Sequence, residues 1–178
     1  MIVDGNLQVA TDPLPANAPS VTGVYNEGDP FFAMFSHWDA NEDTPLGDAR
    51  YAYQTTISVY DANGSSYELT TYFDPVRDSD VDGTSSGNTH WEYMTTVKPN
   101  NDKRDHMEGF SKRGVLMTGS MTFNPAGDLI GQSAFTLNSD AALQAPEDLA
   151  SWTPAEFSQN GYPLFTANFL GEDEASFV

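Results

Sequence analysis

The 178-residue chain contains no cysteine. That excludes disulfide cross-links, thiolate metal sites and thiol redox chemistry. A chain of this length can bury a core large enough to fold without such staples. Basic residues are scarce too. Seven lysines and arginines stand against 26 aspartates and glutamates, for a formal net charge of −19. A surface of that sign repels duplex nucleic acid and anionic membranes, so neither is expected as a partner. No apolar run is long enough to span a bilayer, and the first residues lack the basic-then-apolar pattern of a secretory signal peptide. An extracellular destination therefore implies export without a cleaved signal, or an excised piece of a longer protein. Heptads and repeats of fixed period are missing as well.

What is present is alternation. Tyr53, Thr55, Ile57 and Val59 alternate with Gln54, Thr56, Ser58 and Tyr60, and Tyr67, Leu69, Thr71 and Phe73 alternate with Glu68, Thr70 and Tyr72. Period-two alternation in β-branched and aromatic residues predicts strands. Between the two runs stands Asp61-Ala62-Asn63-Gly64, and Asn-Gly tolerates the positive φ that a tight hairpin needs. A third strand runs over 91–97, with Trp91, Tyr93, Thr95 and Val97 on one face. A second hairpin joins 114–123 to 129–137 through Asn124-Pro125-Ala126-Gly127-Asp128. Residues 164–169 read as a last strand, after the turn at Asn160-Gly161-Tyr162-Pro163.

The flanks are less regular. Ile2-Val3-Asp4 and Leu7-Gln8-Val9 read as short extended pieces, and Pro13, Pro15 and Pro19 forbid a helix interior there. Phe31-Phe32-Ala33-Met34-Phe35 is an apolar patch. Pro146-Glu147-Asp148-Leu149 and Thr153-Pro154-Ala155-Glu156 read as starts of short helical turns, the second as a capping box with proline in the first position. The expected fold is all-β: an antiparallel β-sandwich or open β-barrel built from hairpins, with one or two short helical turns near the C-terminus. The expected organisation is one domain over 1–178. Lead-in strands and loops fill 1–49, the hairpin core fills 50–137, and helical turns with a closing strand fill 138–178.

No catalytic constellation emerges. Gly131-Gln132-Ser133-Ala134-Phe135 lacks the second glycine of a nucleophile elbow, and no glycine-rich loop carries a phosphate-binding lysine. His37, His90 and His106 have no ligand-like spacing and read as surface or loop residues. Trp38, Trp91 and Trp152 could form a sugar platform, but core or interface packing is the commoner use. Carboxylates are too abundant for any pair to point to glycoside hydrolysis. Asp78-x-Asp80-x-Asp82-Gly83 copies the first half of a calcium loop, yet the position of the closing glutamate holds Thr89, and Glu92 comes three residues late. Asp78, Asp80 and Asp82 are thus a weak calcium candidate, with a solvated acidic loop as the default. No cofactor is expected. Lys98, Lys103, Arg104, Lys112 and Arg113 fall within sixteen positions between two strands. They read either as a solvated loop or as a patch that meets an acidic neighbour.

The two hairpins carry a family resemblance. Val59-Tyr60-Asp61-Ala62-Asn63-Gly64-Ser65-Ser66-Tyr67-Glu68-Leu69-Thr70-Thr71-Tyr72-Phe73, followed by Trp91-Glu92-Tyr93, resembles the signature stretch of bacterial flagellar hook proteins. Tyr67 stands where that family often has histidine. Gly119-Ser120-Met121-Thr122-Phe123-Asn124-Pro125-Ala126-Gly127-Asp128-Leu129 is similar to the family's second signature, and order and spacing agree. The resemblance covers 50–137. It implies a non-catalytic structural subunit of the extracellular flagellar hook, the joint that passes torque from motor to filament, with other copies of the hook protein as partners. The long helical, heptad-bearing ends of hook proteins are not found in these 178 residues, which implies an outer all-β region and a monomer in isolation. Ile57, Val59, Leu69, Phe73, Trp91, Met121 and Phe123 are the expected core. The alternatives are another flagellar axial protein of the rod or hook junction, or a secreted carbohydrate-binding β-domain.

Overall fold

The computed structural model describes residues 30–47, 51–82, 86–137, 152–165 and 169–171. The early extended pieces and the helical turn expected at 146–149 lie outside them. Six strands form one antiparallel sheet in sequential order: β1 (Tyr53–Tyr60), β2 (Ser66–Val76), β3 (Thr89–Val97), β4 (Val115–Phe123), β5 (Leu129–Leu137) and β6 (Trp152–Pro154). A two-stranded ribbon, β7 (Glu156–Phe157) with β8 (Pro163–Leu164), follows. The chain is all-β, and the sheet stays open, with β1 and β6 as its two edges.

Alternation places Trp91, Tyr93 and Val97 of β3 on one face, and His90, Glu92, Met94 and Thr96 on the other. All are buried, so something must cover each face. On the first face, Leu69, Val97 and Leu116 pack with Phe169 and Leu170, while Tyr93, Met117 and Ala134 pack with Ala155 and Phe165. On the second, Met94, Val115, Leu137 and Trp152 pack with Met34, Phe35, Trp38, Leu46 and Met107. The covers are irregular segments from the two ends of the described chain, joined on the second face by Met107 from between β3 and β4. The apolar patch at 31–35 supplies one of them: a 3₁₀ turn, Pro30–Phe32, runs into the short helix α1 (Ala33–His37). A five-residue helix is marginal alone. Its cap comes from the sheet, where the buried Glu92 carboxylate accepts from the Met34 N–H at 3.1 and 3.2 Å. Negative charge at a helix N-terminus is favourable.

Within the sheet, threonines fall in register as two ladders. Thr55 faces Thr71, which faces Thr95, and Thr56 faces Thr70, which faces Thr96. The ladder on one face joins the Thr71 and Thr95 hydroxyls at 2.9 Å, and that on the other joins Thr56 and Thr70 at 3.1 Å. Such cross-strand pairs contribute roughly 0.2–1 kcal/mol each.

Two expectations are corrected. Thr153-Pro154-Ala155-Glu156 is not helix: Thr153 and Pro154 end β6, and Glu156 opens β7 after Ala155. Pairing of Trp152 with Leu137 and burial of the indole override the local capping signal. Ile57 is not core: it is 59% exposed, because β1 is an edge strand. Leu69 and Trp91 are buried, whereas Val59, Phe73, Met121 and Phe123 are half-buried.

Candidate functional site

The five basic residues lie in or at the ends of the connection between β3 and β4, which carries two 3₁₀ turns, Pro99–Asn101 and Asp105–Met107. The structure divides them. Asp102, fully buried, is the centre of the connection. Its Oδ1 accepts from Arg104 Nε at 2.9 Å, and its Oδ2 from an Arg104 terminal nitrogen at 2.7 Å and from the Gly114 N–H at 2.8 Å. Arg104 also donates to the Val115 carbonyl at 2.8 Å. This is a bidentate pair with its remaining capacity satisfied, the condition under which a buried pair is tolerated. The Asp102 carbonyl accepts two bonds from Arg113, at 2.9 and 2.6 Å. Gly114 has φ of 93° and packs on the Val97 carbonyl, so no side chain fits there.

Lys112 is also buried. Its ammonium donates to the carbonyls of Ser36 and Trp38 at 3.0 and 2.6 Å, where α1 ends, and lies 5.3 Å from the Phe35 ring centroid. A cation at a helix C-terminus meets carbonyls that lack partners in the helix. The Trp38 indole N–H donates back to the Arg113 carbonyl at 2.9 Å. Arg104, Lys112 and Arg113 therefore tie the connection to itself and to α1. Lys98 and Lys103 remain outside. Lys98 pairs with Glu68 at 3.1 Å with 71% of its side chain exposed, and the Lys103 ammonium donates to the Asn100 carbonyl. A reversal of charge at Arg104 and Lys112 is consequently a core substitution, contrary to the expectation of a freely exposed loop. Asp102 escaped the sequence reading. Its one signal was an acid directly preceding Lys103-Arg104.

The acidic run takes another form than a cation loop. Residues 78–82 form α2 (Asp78–Asp82). On a helix, side chains two apart point to opposite sides, so Asp78 and Asp80 do not converge as loop ligands do. The Asp78 carboxylate instead accepts from the Ser86 hydroxyl at 2.6 Å, the Gly87 N–H at 2.7 Å and His90 Nε2 at 2.9 Å. These bonds, Ser86 foremost, hold its pKa down at about 2. His90, expected in a loop or at the surface, is buried on β3, and its Nδ1 lies 2.9 Å from the Thr122 hydroxyl. Because the ionised carboxylate only accepts, Nε2 carries the proton in that bond. His37 is half-buried at the end of α1. Among the described residues no group of three or more His, Asp or Glu is placed to hold a metal.

The hairpin tips share one construction. In each, a first residue bonds backbone to backbone with the fifth, and the fourth is a glycine at positive φ. Asp61 bonds Ser65 with Gly64 at 84°, Asn124 bonds Asp128 with Gly127 at 88°, and Ser158 bonds Tyr162 with Gly161 at 77°. The first side chain closes each loop. Asp61 Oδ1 accepts from the N–H groups of Asn63 and Ser65, Asn124 Oδ1 from those of Ala126 and Asp128, and Ser158 Oγ from that of Tyr162. This is a type I turn followed by a glycine bulge. The bonds to Asp61, that from Ser65 first, lower its pKa. Within the second hairpin, Gly119 of β4 is fixed by Tyr93 of β3. A Cβ there would lie 2.5 Å from the ring, whose hydroxyl donates to the Ser133 carbonyl at 2.8 Å. Burial pushes the Tyr93 pKa up to about 12.

A meander closed by residue-specific turns, with its charged clusters consumed by internal bonds, belongs to the class of open antiparallel β-domains. The comparison with protein families identifies it further. The model described as the flagellar basal body protein FlaE D2 domain matches residues 36–176, and the chain belongs to that family, which makes it an outer domain of a flagellar hook-type structural protein. Its place is the flagellum, an extracellular appendage. No curated protein and no solved structure matches the chain.

Proposed function

We propose that this domain is a non-catalytic part of the hook joint that transmits torque from motor to filament, in contact with neighbouring copies of the hook protein. The family match over 36–176 carries the reading. Two features support it. The buried tryptophans Trp38, Trp91 and Trp152 form no exposed sugar platform, and the Asp102–Arg104 and Asp78–His90 pairs are committed to holding loops. Of the five basic residues, Lys98 and Lys103 are the exposed ones that can meet an acidic neighbour, as screened pairs worth about 0–1 kcal/mol each. The net charge of −19 argues against nucleic acid and anionic membrane as partners. In isolation the domain is a monomer at tens of micromolar.

The test is gold labelling of intact flagella with antibody raised against this domain, together with deletion of residues 51–165 from the parent gene. Label on the hook and impaired swimming are expected. Label confined to the rod or to the hook–filament junction would replace the joint by another axial segment. Labelling of the cell surface alone would favour the carbohydrate-binding alternative.

A further inference from the structure

Soluble β-proteins protect their open sheet edges by placing charge, proline or bulges on them. This sheet places no charge on its edge strands. Its charged residues stand on inner strands, Glu68 and Asp74 on β2 and Glu92 on β3. β1 has no charged residue, no proline and an unbroken register over eight residues. The opposite side is uncharged as well, although its register shifts at Ile130. β6 pairs only with 135–137 of β5, and Ala155 bonds Ala134, so Leu129-Ile130-Gly131-Gln132-Ser133 has no strand beyond it among the described residues. That stretch is uncharged too, with Leu129 50% and Ile130 56% exposed. Beside the β1 edge, a groove of about 250 Å³ opens between Ile57, Leu69, Phe73 and Tyr93 of the sheet and Pro163 and Phe165 above it.

We propose that these two edges are one interface seen from its two sides: β1 of one copy lies against the 129–133 edge of β5 in the next copy. The inference rests on the hook-subunit reading and names the contact within it. Charge selects the occupant. Two copies that each carry −19 repel least where neither presents a carboxylate, and the residues of both edges meet that condition. Geometry selects the arrangement. Two different surfaces on opposite sides of one molecule make a head-to-tail contact, which repeats openly, as a tube of identical subunits requires, whereas a twofold pair would use one surface twice. The contact need not be strong, because the rest of the assembly supplies a high effective concentration.

The absence of cysteine from these 178 residues makes the test direct. Thr55 and Gln132 lie on the same face of the sheet, within one copy four strand spacings apart across it, about 19 Å, and offset along it as well, since the row of Thr55 reaches Thr136. A short bis-maleimide thus joins thiols introduced at these two positions only between copies. The full-length hook protein carrying Thr55→Cys with Gln132→Cys is assembled into hooks, labelled with the domain antibody and cross-linked. A ladder of multimers from the double variant, absent from each single variant, is expected. Dimers from Thr55→Cys alone would mean a twofold edge contact and overturn the proposal, as would labelled hooks with no cross-link. Hooks that carry no label would instead withdraw the hook-subunit reading, and this contact with it. Hydrogen exchange gives the second readout. The β1 amides are expected to gain protection on assembly. Full protection of the whole strand in the isolated chain would show that the chain covers its own edge, and would also overturn the proposal.

Discussion

The ammonium of Lys112 lies 2.6 Å from the carbonyl oxygen of Trp38, 74 positions earlier in the chain. One lysine thereby closes the C-terminal end of α1 and fastens the 30–47 cover to the β3–β4 connection. Lys112→Met keeps the stem and removes the charge. It is expected to cost about 1.5–3 kcal/mol, the range for hydrogen bonds made by charged groups. Urea unfolding measures the loss, and amide exchange should quicken first in α1.

The Asp102–Arg104 pair predicts a sharper contrast. Removing one partner of a buried pair strands the other, at about 3–5 kcal/mol. Arg104→Ala and Asp102→Ala should each reach that range in denaturant melts. Lys103→Glu, one residue away and exposed, should stay within about 0.5 kcal/mol. A quadruple reversal that includes Arg104 and Lys112 should fail to fold, whatever it does to the hook.

Acid should loosen α2. The pKa of Asp78 falls from its usual 3.8 to about 2 on folding. A depressed carboxyl contributes its full stability above the unfolded value and loses it as pH falls through the folded one. The window is therefore about pH 4 to 2. Over it the melting temperature of the wild type should drop more steeply than that of Asp78→Asn, which lacks the titrating group. Parallel curves would deny Asp78 that role.

The three hairpin glycines isolate one physical effect. A Cβ at Gly64, Gly127 or Gly161 meets nothing within 4 Å, yet each φ is positive. Alanine there costs conformation alone, about 1–2 kcal/mol per site. Gly119→Ala is the converse. Its strain comes from collision with Tyr93 and the Ser133 carbonyl, and overpacking of this kind costs about 1–3 kcal/mol. Melts of the four single variants measure each cost, and a triple hairpin variant checks that the three distant hairpin losses add.

The strands and their turns were legible because their causes are local. Alternation tells which residues share a face, and Asn-Gly or Ala-Gly after a capping side chain tells where the chain reverses. Alternation does not tell whether anything lies on that face. Ile57 and Leu69 occupy paired positions with the same pattern, but only Leu69 lies under Phe169 and Leu170. α1 was invisible for a related reason, since its cap, Glu92, comes from 58 residues away. The basic cluster was legible as charge and misleading as surface. Which cation is buried depends on where the Asp102 carboxyl and the α1 carbonyls end up, and no spacing in the chain encodes that.

The sequential order of β1 to β6 also has a kinetic consequence. Each of the first five strands meets its chain neighbour, so the sheet can grow with short loop closures and low contact order. The two covers must return from far away, Met34 to Glu92 and Phe169 to Lys103. Nucleation then belongs to the hairpins, and the covers lock late. In stopped-flow chevrons, Lys112→Met should speed unfolding and leave the refolding rate almost unchanged, the behaviour of a contact formed after the transition state. The lifetime of the folded domain is thus set by its flanks, while the speed with which it forms is set by its turns.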